Sequence, residues 1–128
     1  MLGIDEYLQR IQRLINELPF KLSATINIEN RSNVVLYIKG KITFTDETEL
    51  HFKEYLITVP TFHKVAYSYH YQDKDKQLIF RFDNAEHHTE ISTYPHHKHL
   101  KDRVLPSNEA SLEKVLEEIL STIKEKAR

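Results

Sequence analysis

The stretch HKVAYSYHYQDKDKQLIFRFD, residues 63–83, decides the fold. Two segments rich in aromatic and β-branched residues flank a charged tetrapeptide at 73–76. Their alternating apolar and polar positions predict two antiparallel strands joined by a turn. With the tetrapeptide as the turn, the apolar face pairs Tyr71 with Leu78, Tyr69 with Phe80 and Tyr67 with Phe82. The other face pairs Ser68 with Arg81 and Ala66 with Asp83, so it is either a working surface or a solvated one.

The residues before this hairpin predict a helix and three strands. Apolar residues recur at three- and four-residue spacing from Ile4 to Leu18, and Pro19 ends this helix. The period then changes to two, which predicts strands over 22–28, 34–44 and 50–56. Gly40 lies on the apolar side of the second of these strands, where it indicates a bulge or close packing. Glu54 interrupts the apolar side of the third.

The residues after the hairpin predict a loop and a final helix. No regular period is present over 84–107, and Ser107 is the expected cap of a helix with Glu109 in its first turn. The apolar stripe from Leu112 to Ile123 follows. Strands grouped between terminal helices predict an α+β fold: an antiparallel sheet of about five to six strands with the N-terminal and C-terminal helices packed on it. Residues 1–128 are expected to form a single domain.

Composition narrows the functional classes. The 128 residues include no cysteine, which excludes disulfides and thiolate–metal sites. With 18 basic and 19 acidic residues the formal net charge is −1, so a site for a polyanion would have to be a local patch. No signal peptide or membrane-spanning segment is recognisable, and a cytoplasmic location is expected. The anomaly is the eight histidines, five of which lie between His87 and His99.

Three interpretations of this histidine-rich segment remain open. Histidine can take and give a proton near neutral pH, and cleavage of RNA through its own 2′-hydroxyl needs a base, an acid and a positive group but no metal or cofactor. Alternatively, His97 and His99 point to the same side of an extended segment and could bind a metal with Glu86, His87 or His88. Otherwise, single histidines such as His88 or His96 hydrogen-bond loop carbonyls and order the backbone.

For the other candidate residues, the sequence predicts structural roles. Tyr67, Tyr69 and Tyr71 could form a base-stacking platform, but in the predicted hairpin they belong to the core. Lys39 and Lys41 are expected to lie on a solvated strand face. The 4-3-4-3 spacing of the first helix is compatible with a homodimer, although burial against its own sheet explains the same stripe.

The C-terminal half resembles a known family. The residues that carry the resemblance are Tyr67–Asp73, Phe80–Ala85, His87-His88, Thr93–His99, Pro106-Ser107 and the stripe from Leu112 to Ile119. From about Tyr67 to Ile119 the chain resembles the TumE-type toxins of prokaryotic toxin–antitoxin systems. The matching polar positions are Arg81, Asp83, Asn84, His87, His88, His96, His97, Lys98 and His99, together with Pro95. The resemblance implies a toxin that pairs with a small helix-turn-helix antitoxin, usually encoded next to it.

Toxins of this size and layout are often ribonucleases, and by that analogy we expect a metal-independent ribonuclease. The candidate catalytic residues are His88, His97, His99 and Asp83, and the candidate substrate-binding residues are Arg81, Lys98, His87 and His96. In this scheme His97 or His99 exchanges protons with His88 as its counterpart, and Asp83 orients an imidazole. The alternatives are a non-catalytic protein-interaction module and a metal-dependent phosphodiesterase or transferase.

Overall fold

The computed structural model describes residues 3–127 and has the element order helix, seven strands, helix. The elements are α1 Ile4–Asn16, β1 Lys21–Asn30, β2 Val35–Phe44, β3 Glu49–Ile57, β4 His63–Gln72, β5 Leu78–Asp83, β6 His97–His99, β7 Val104–Pro106 and α2 Leu112–Lys126. The strands form one antiparallel sheet in chain order. Residues 1, 2 and 128, the ends of the predicted domain, lie outside the described part of the chain.

The predicted α+β class is confirmed, but the sheet has seven strands instead of five to six. The two extra strands, β6 and β7, lie within the segment that the sequence predicted as a loop. They have three residues each. A strand this short shows too few alternations to produce a period, and only pairing with a neighbour defines it: β6 pairs with β5, and β7 pairs with β6.

One face of the sheet is covered by both helices, and we call it the helix-covered face. Its core includes Tyr69, Phe52 and Leu36 from the strands, with Ile15 of α1 and Ile119 of α2 packed against them. The stripe of α1 is therefore buried on its own sheet, and this spacing gives no ground for a dimer. No helix within residues 3–127 has the length and apolar character to cross a membrane.

The opposite side of the sheet, which carries the alternate strand positions, is the open face. Successive side chains of a strand point to opposite sides, and along β2 and β3 the positions that alternate with the buried core residues are exposed or half-buried. The histidine-rich segment joins the sheet through β6, which pairs with β5. The fold thus places this segment at the β5–β7 side of the sheet.

The hairpin forms as predicted, but its register differs by two residues. Tyr71 pairs with Phe80 and Tyr69 with Phe82. The backbone amide of Asp73 donates to the carbonyl of Gln77, so the loop is shorter than the expected tetrapeptide, and Lys76 within it adopts the left-handed conformation at φ 63°. The shorter loop accounts for part of the difference in register, and an irregularity between Tyr71 and Gln72 accounts for the rest. A shift of two keeps every side chain on its expected face, so the aromatic pairs remain in the core.

The start of α2 corrects a second expectation. The helix begins at Leu112, and its cap is Ser111, whose side chain accepts a hydrogen bond from the Lys114 amide. Ser107 instead donates to the carbonyl of Asn108 and does not cap the helix. Both serines precede the apolar stripe, and the sequence pattern does not distinguish them. The backbone between them is held in a non-helical path by contacts with the sheet, such as the bond from the Ala110 amide to the Tyr67 hydroxyl.

Gly40 marks close packing. A Cβ built at this position would lie 2.4 Å from two ring carbons of Phe52, its cross-strand partner. Real Cβ atoms do not approach other carbons this closely, so the ring of Phe52 occupies the space that a side chain would need. The glycine allows a large aromatic residue to lie flat in the core.

Glu54 is a buried charge at the centre of the helix-covered face. Its carboxylate is fully buried and accepts hydrogen bonds from the hydroxyls of Tyr7 and Tyr69. The ammonium of Lys64 lies 3.8 Å away and donates to the Tyr69 hydroxyl and to the carbonyl of Ala110. A buried carboxylate needs such partners to offset its lost hydration. The network links α1 to the sheet and explains why a charge interrupts an apolar strand face.

Candidate functional site

Two histidines of β6 meet two charged residues of β5 on the open face. Arg81 pairs directly with His99, and Asp83 pairs directly with His97. Because residues two apart in a strand share a face, all four side chains lie on the same side of the sheet. Cross-strand neighbours have Cβ atoms about 5 Å apart, which is close enough for direct contact between imidazole and carboxylate.

A third histidine reaches this group from the loop between β5 and β6. His88 has a positive φ of 56°, a backbone conformation that is uncommon for residues other than glycine. Its ring lies 5.3 Å from that of His97 and 5.5 Å from that of His99, while the rings of His97 and His99 are 4.7 Å apart. Strained residues of this kind persist where surrounding contacts hold them. We call His88, His97, His99, Asp83 and Arg81 the Asp83 cluster.

Asp83 holds the cluster together. Its Oδ1 accepts a hydrogen bond from the Ala85 amide at 3.0 Å and contacts Nε2 of His97 at 2.9 Å. Its Oδ2 accepts from Nε of Arg81 at 2.9 Å and lies 3.5 Å from Nε2 of His99. Burial alone would raise the pKa of Asp83, but the hydrogen bonds from Ala85 and Arg81 and the charge of His97 lower it. The carboxylate is therefore ionised at neutral pH.

His97 is a buried, fully bonded ring. Only 1% of the residue is exposed. Its Nε2 contacts Asp83, and its Nδ1 lies 2.8 Å from the carbonyl oxygen of Pro95. Both ring nitrogens therefore already have a partner in the protein. His97 thus fixes the loop to the sheet and orients Asp83, but it offers no free nitrogen to a substrate.

His99 has the properties of a base. Its side chain is 27% exposed. Burial lowers its pKa below the usual 6.5, and although Asp83 raises it, the neighbouring His97, His88 and Arg81 add to the lowering. A histidine with this pKa is neutral at pH 7 and can accept a proton. With Nε2 turned to Asp83, its Nδ1 makes no hydrogen bond within residues 3–127.

His88 is the exposed counterpart of His99. Its Nδ1 lies 3.3 Å from the carboxylate of Glu90, and its side chain is 35% exposed. This contact orients the ring and leaves Nε2 without a carboxylate partner in the described residues. The cluster therefore has one buried imidazole, His97, and two that a substrate can reach.

Three of the expected site residues do not join the cluster. Lys98 points to the helix-covered face, where its ammonium pairs with Glu118 at 2.7 Å, because it alternates with its two histidine neighbours. His96 stacks on the ring of Tyr67 and contacts its hydroxyl at 2.9 Å. His87 is exposed on the loop. The expected roles of Lys98 and His96 in binding substrate at the cluster do not fit these positions.

The structure adds neighbours that the sequence did not indicate. Nη1 of Arg81 lies 3.4 Å from Nδ1 of His70, whose pKa is lowered by burial and by the charge of Arg81. His70 in turn pairs across the sheet with His51. A shallow cavity of about 270 Å³ between these residues also includes Lys53 and Ser68. Only the register of three strands places these residues side by side.

The three histidines are also the candidate metal ligands. One nitrogen from each of His88, His97 and His99 lies within 4.8 Å of the others. Imidazole nitrogens bound to one zinc ion at about 2.0–2.1 Å are roughly 3.3 Å apart, so the set would have to contract. His97 would also have to release Asp83 or Pro95 to present a nitrogen. The ligand types suit a metal, but the hydrogen bonds of His97 oppose it.

The fold and the cluster define a small α+β protein with an imidazole-rich group on the open face of an antiparallel sheet. A family model described as "Toxin TumE" matches residues 11–127. The chain belongs to the TumE toxin family, which gives it the role of a toxin and implies an antitoxin partner. No curated protein and no solved structure matches it.

Proposed function

We propose that this toxin cleaves RNA by metal-independent acid–base chemistry at the Asp83 cluster. The observation that carries the proposal is the convergence of three imidazole rings beside an arginine, two of which contact one ionised carboxylate. Two of these imidazoles are accessible, and they differ in environment. A pair of titratable groups with different environments is a common arrangement for an acid and a base.

The reaction begins with His99. Its neutral imidazole removes the proton of a ribose 2′-hydroxyl, and the 2′-oxygen attacks the adjacent phosphorus. The bond from phosphorus to the 5′-oxygen breaks, and His88 donates its proton to this leaving oxygen. The products are a 2′,3′-cyclic phosphate and a 5′-hydroxyl end. Protons and charge balance once His88 and His99 exchange a proton with water.

The other members of the cluster position these two rings. Asp83 orients His99 through Nε2, and His97 holds Asp83 in place, so both are positioning residues. Arg81 uses Nε for Asp83, and its side chain is 39% exposed. Because Nη1 faces His70, it is Nη2 that can bind a phosphate oxygen and stabilise the charge that develops on it.

Paired substitutions test this assignment. The His99→Ala variant should lose growth inhibition and cleavage of a labelled RNA, whereas His63→Ala, which removes an exposed imidazole outside the cluster, should keep both. Thermal denaturation of both variants shows whether the fold is intact. A folded His99→Ala protein that cleaves RNA at the normal rate would refute the base assignment. Detection of a 2′,3′-cyclic phosphate end tests the reaction itself.

A metal-dependent phosphodiesterase or transferase is the second candidate, because the three histidine nitrogens lie close enough to be drawn onto one ion. Elemental analysis of the purified protein and cleavage with and without a chelator separate the two candidates. Acid–base cleavage at the cluster should persist in chelator. Loss of activity in chelator, with recovery on adding zinc or manganese, would favour the metal enzyme.

A non-catalytic interaction module is the remaining alternative. In that case the purified toxin leaves total RNA intact, and the same histidine substitutions change only binding of the partner. We further propose that the partner is a small helix-turn-helix antitoxin encoded beside the toxin. Co-expression with the neighbouring reading frame tests this, since a true antitoxin should restore growth and co-purify with the toxin.

A further inference from the structure

The open face carries a row of cations that leads away from the Asp83 cluster. Lys39 of β2 pairs directly with Lys53 of β3, Lys53 with Ser68 of β4, and Ser68 with Asp83. We call Lys39, Lys53 and Ser68 the lysine row. Both lysines are exposed, and neither is ion-paired within residues 3–127. The sequence predicted a solvated strand face for Lys39, but the register brings it into line with the cluster.

Like charges directly opposite each other destabilise a strand pair. Two unpaired lysines in this arrangement therefore cost stability, unless an anion lies between them. A second row runs parallel to the first, since His51, His70 and Arg81 are direct neighbours across β3, β4 and β5, and Arg81 adds a positive charge. The lysine row and Arg81 thus form a locally cationic strip, although the net charge of the whole chain is nearly neutral.

A pair of tyrosines borders the lysine row. Tyr37 and Tyr55 are direct cross-strand partners, two residues from Lys39 and Lys53 and on the same face. Both are half-buried, and the guanidinium of Arg31 lies 4.4 Å from the ring centre of Tyr37. Aromatic rings beside backbone-binding cations are the combination that binds single-stranded nucleic acid, because unpaired bases stack on the rings. The hairpin tyrosines that the sequence considered for this role lie in the core instead.

We propose that the open face binds single-stranded RNA along the lysine row, with bases on Tyr37 and Tyr55 and the scissile phosphate at the Asp83 cluster. This inference rests on the proposed ribonuclease function for the identity of the polymer as RNA. From Lys39 to Asp83 the row crosses three strand spacings, about 14 Å. At 3.4 Å or more per nucleotide, this length holds at most about four nucleotides.

Binding to a cleavage-deficient protein tests the surface separately from the chemistry. In the His99→Ala background, fluorescence anisotropy measures the affinity for a labelled ten-nucleotide RNA at several salt concentrations. The Lys39→Gln/Lys53→Gln variant should bind about tenfold more weakly, and its salt slope should fall by roughly 1.4, or 0.7 for each phosphate contact. The control Lys114→Gln/Lys124→Gln removes two exposed charges of α2, which packs on the other face, and should match its parent.

Substitution of the tyrosines should weaken RNA binding in a way that differs from substitution of the lysines. Tyr37→Leu and Tyr55→Leu should each weaken binding roughly fivefold or more without changing the salt slope, because stacking involves no phosphate charge. Duplex RNA should bind more weakly than the single strand, since paired bases cannot stack on the rings. Tighter binding of duplex RNA or of single-stranded DNA would overturn the proposal.

Cleavage assays keep this proposal distinct from the ribonuclease proposal. With His99 intact, the Lys39→Gln/Lys53→Gln variant should cleave a dinucleotide normally and the ten-nucleotide RNA more slowly. If the lysine variant matches the α2 control in affinity and salt slope, the binding surface is refuted even where cleavage is present. If single-stranded RNA binds as described but is never cut, the surface stands and the proposed reaction fails.

Discussion

Replacing Asp83 with asparagine isolates the charge at the centre of the cluster. The asparagine Oδ1 can keep the contacts to the Ala85 amide and His97, but its amide then faces Nε of Arg81, donor against donor. One charge-assisted hydrogen bond, worth about 1.5–3 kcal/mol, is lost and the others weaken. Water screens part of this loss, because Arg81 is 39% exposed, but the weakened bonds to Ala85 and His97 add to it. We therefore expect a destabilisation of about 2–3 kcal/mol.

Urea denaturation at pH 7 measures this loss. With a slope near 2 kcal/mol per molar, the midpoint should fall by about 1–1.5 M. Asp75→Asn is the matched control, since it makes the same chemical change at an exposed position in the β4–β5 turn and should stay within about 0.5 kcal/mol of the parent. An Asp83→Asn protein as stable as this control would refute the assignment of Asp83 as the centre of the cluster.

The pH dependence has a defined sign. The pKa of Asp83 is lower in the folded than in the unfolded protein, because hydrogen bonds and nearby positive charge outweigh its burial. Its stabilisation is therefore complete above the unfolded value of about 3.9 and is lost as the pH falls through the folded pKa. Because Asp83 also raises the pKa of His99, the difference between parent and Asp83→Asn should widen somewhat as the pH falls through the range in which His99 titrates, and it should narrow below about pH 4 as Asp83 itself is protonated. A difference that does not narrow below about pH 4 contradicts the reasoning.

The same variant should change the pH profile of cleavage. Asp83 raises the pKa of His99 against the lowering from burial. Without the carboxylate the pKa of His99 falls further, so the acid limb of the cleavage profile should move to lower pH while the maximal rate drops. An acid limb that stays in place would show that His99 is not the titrating base.

Three further substitutions test the fold that supports the site. Gly40→Ala should cost about 1–3 kcal/mol in chemical denaturation, because the added methyl group meets the ring of Phe52. Tyr7→Phe should cost about 1.5–3 kcal/mol by removing one donor from the buried carboxylate of Glu54, and an unchanged midpoint would contradict the role of this network. Ser111→Ala should cost about 1 kcal/mol and lower the helical signal of α2 in circular dichroism, because the cap of the helix is lost.

Local periodicity was sufficient for the class of the fold. The stripes of α1 and α2 and the alternation along β1 to β5 are properties of short windows, and each predicts a buried face without knowledge of its partner. The hairpin register differs from the prediction by two residues because the left-handed residue in its turn is a lysine, which does not signal that conformation as glycine does, and because no local pattern marks the irregularity between Tyr71 and Gln72. The position of the helix cap was missed because two serines precede the stripe.

The sequence by itself determined that imidazoles are concentrated after the last predicted strand, but not which of them meet. That depends on β6, a strand of three residues whose existence comes only from pairing with β5. The pairing brings His97 and His99 to Asp83 and sends Lys98 to the other face, since neighbouring side chains in a strand point in opposite directions. The alignment of Lys39 with Lys53 likewise depends on register, which joins residues distant in sequence and leaves no trace in any local pattern.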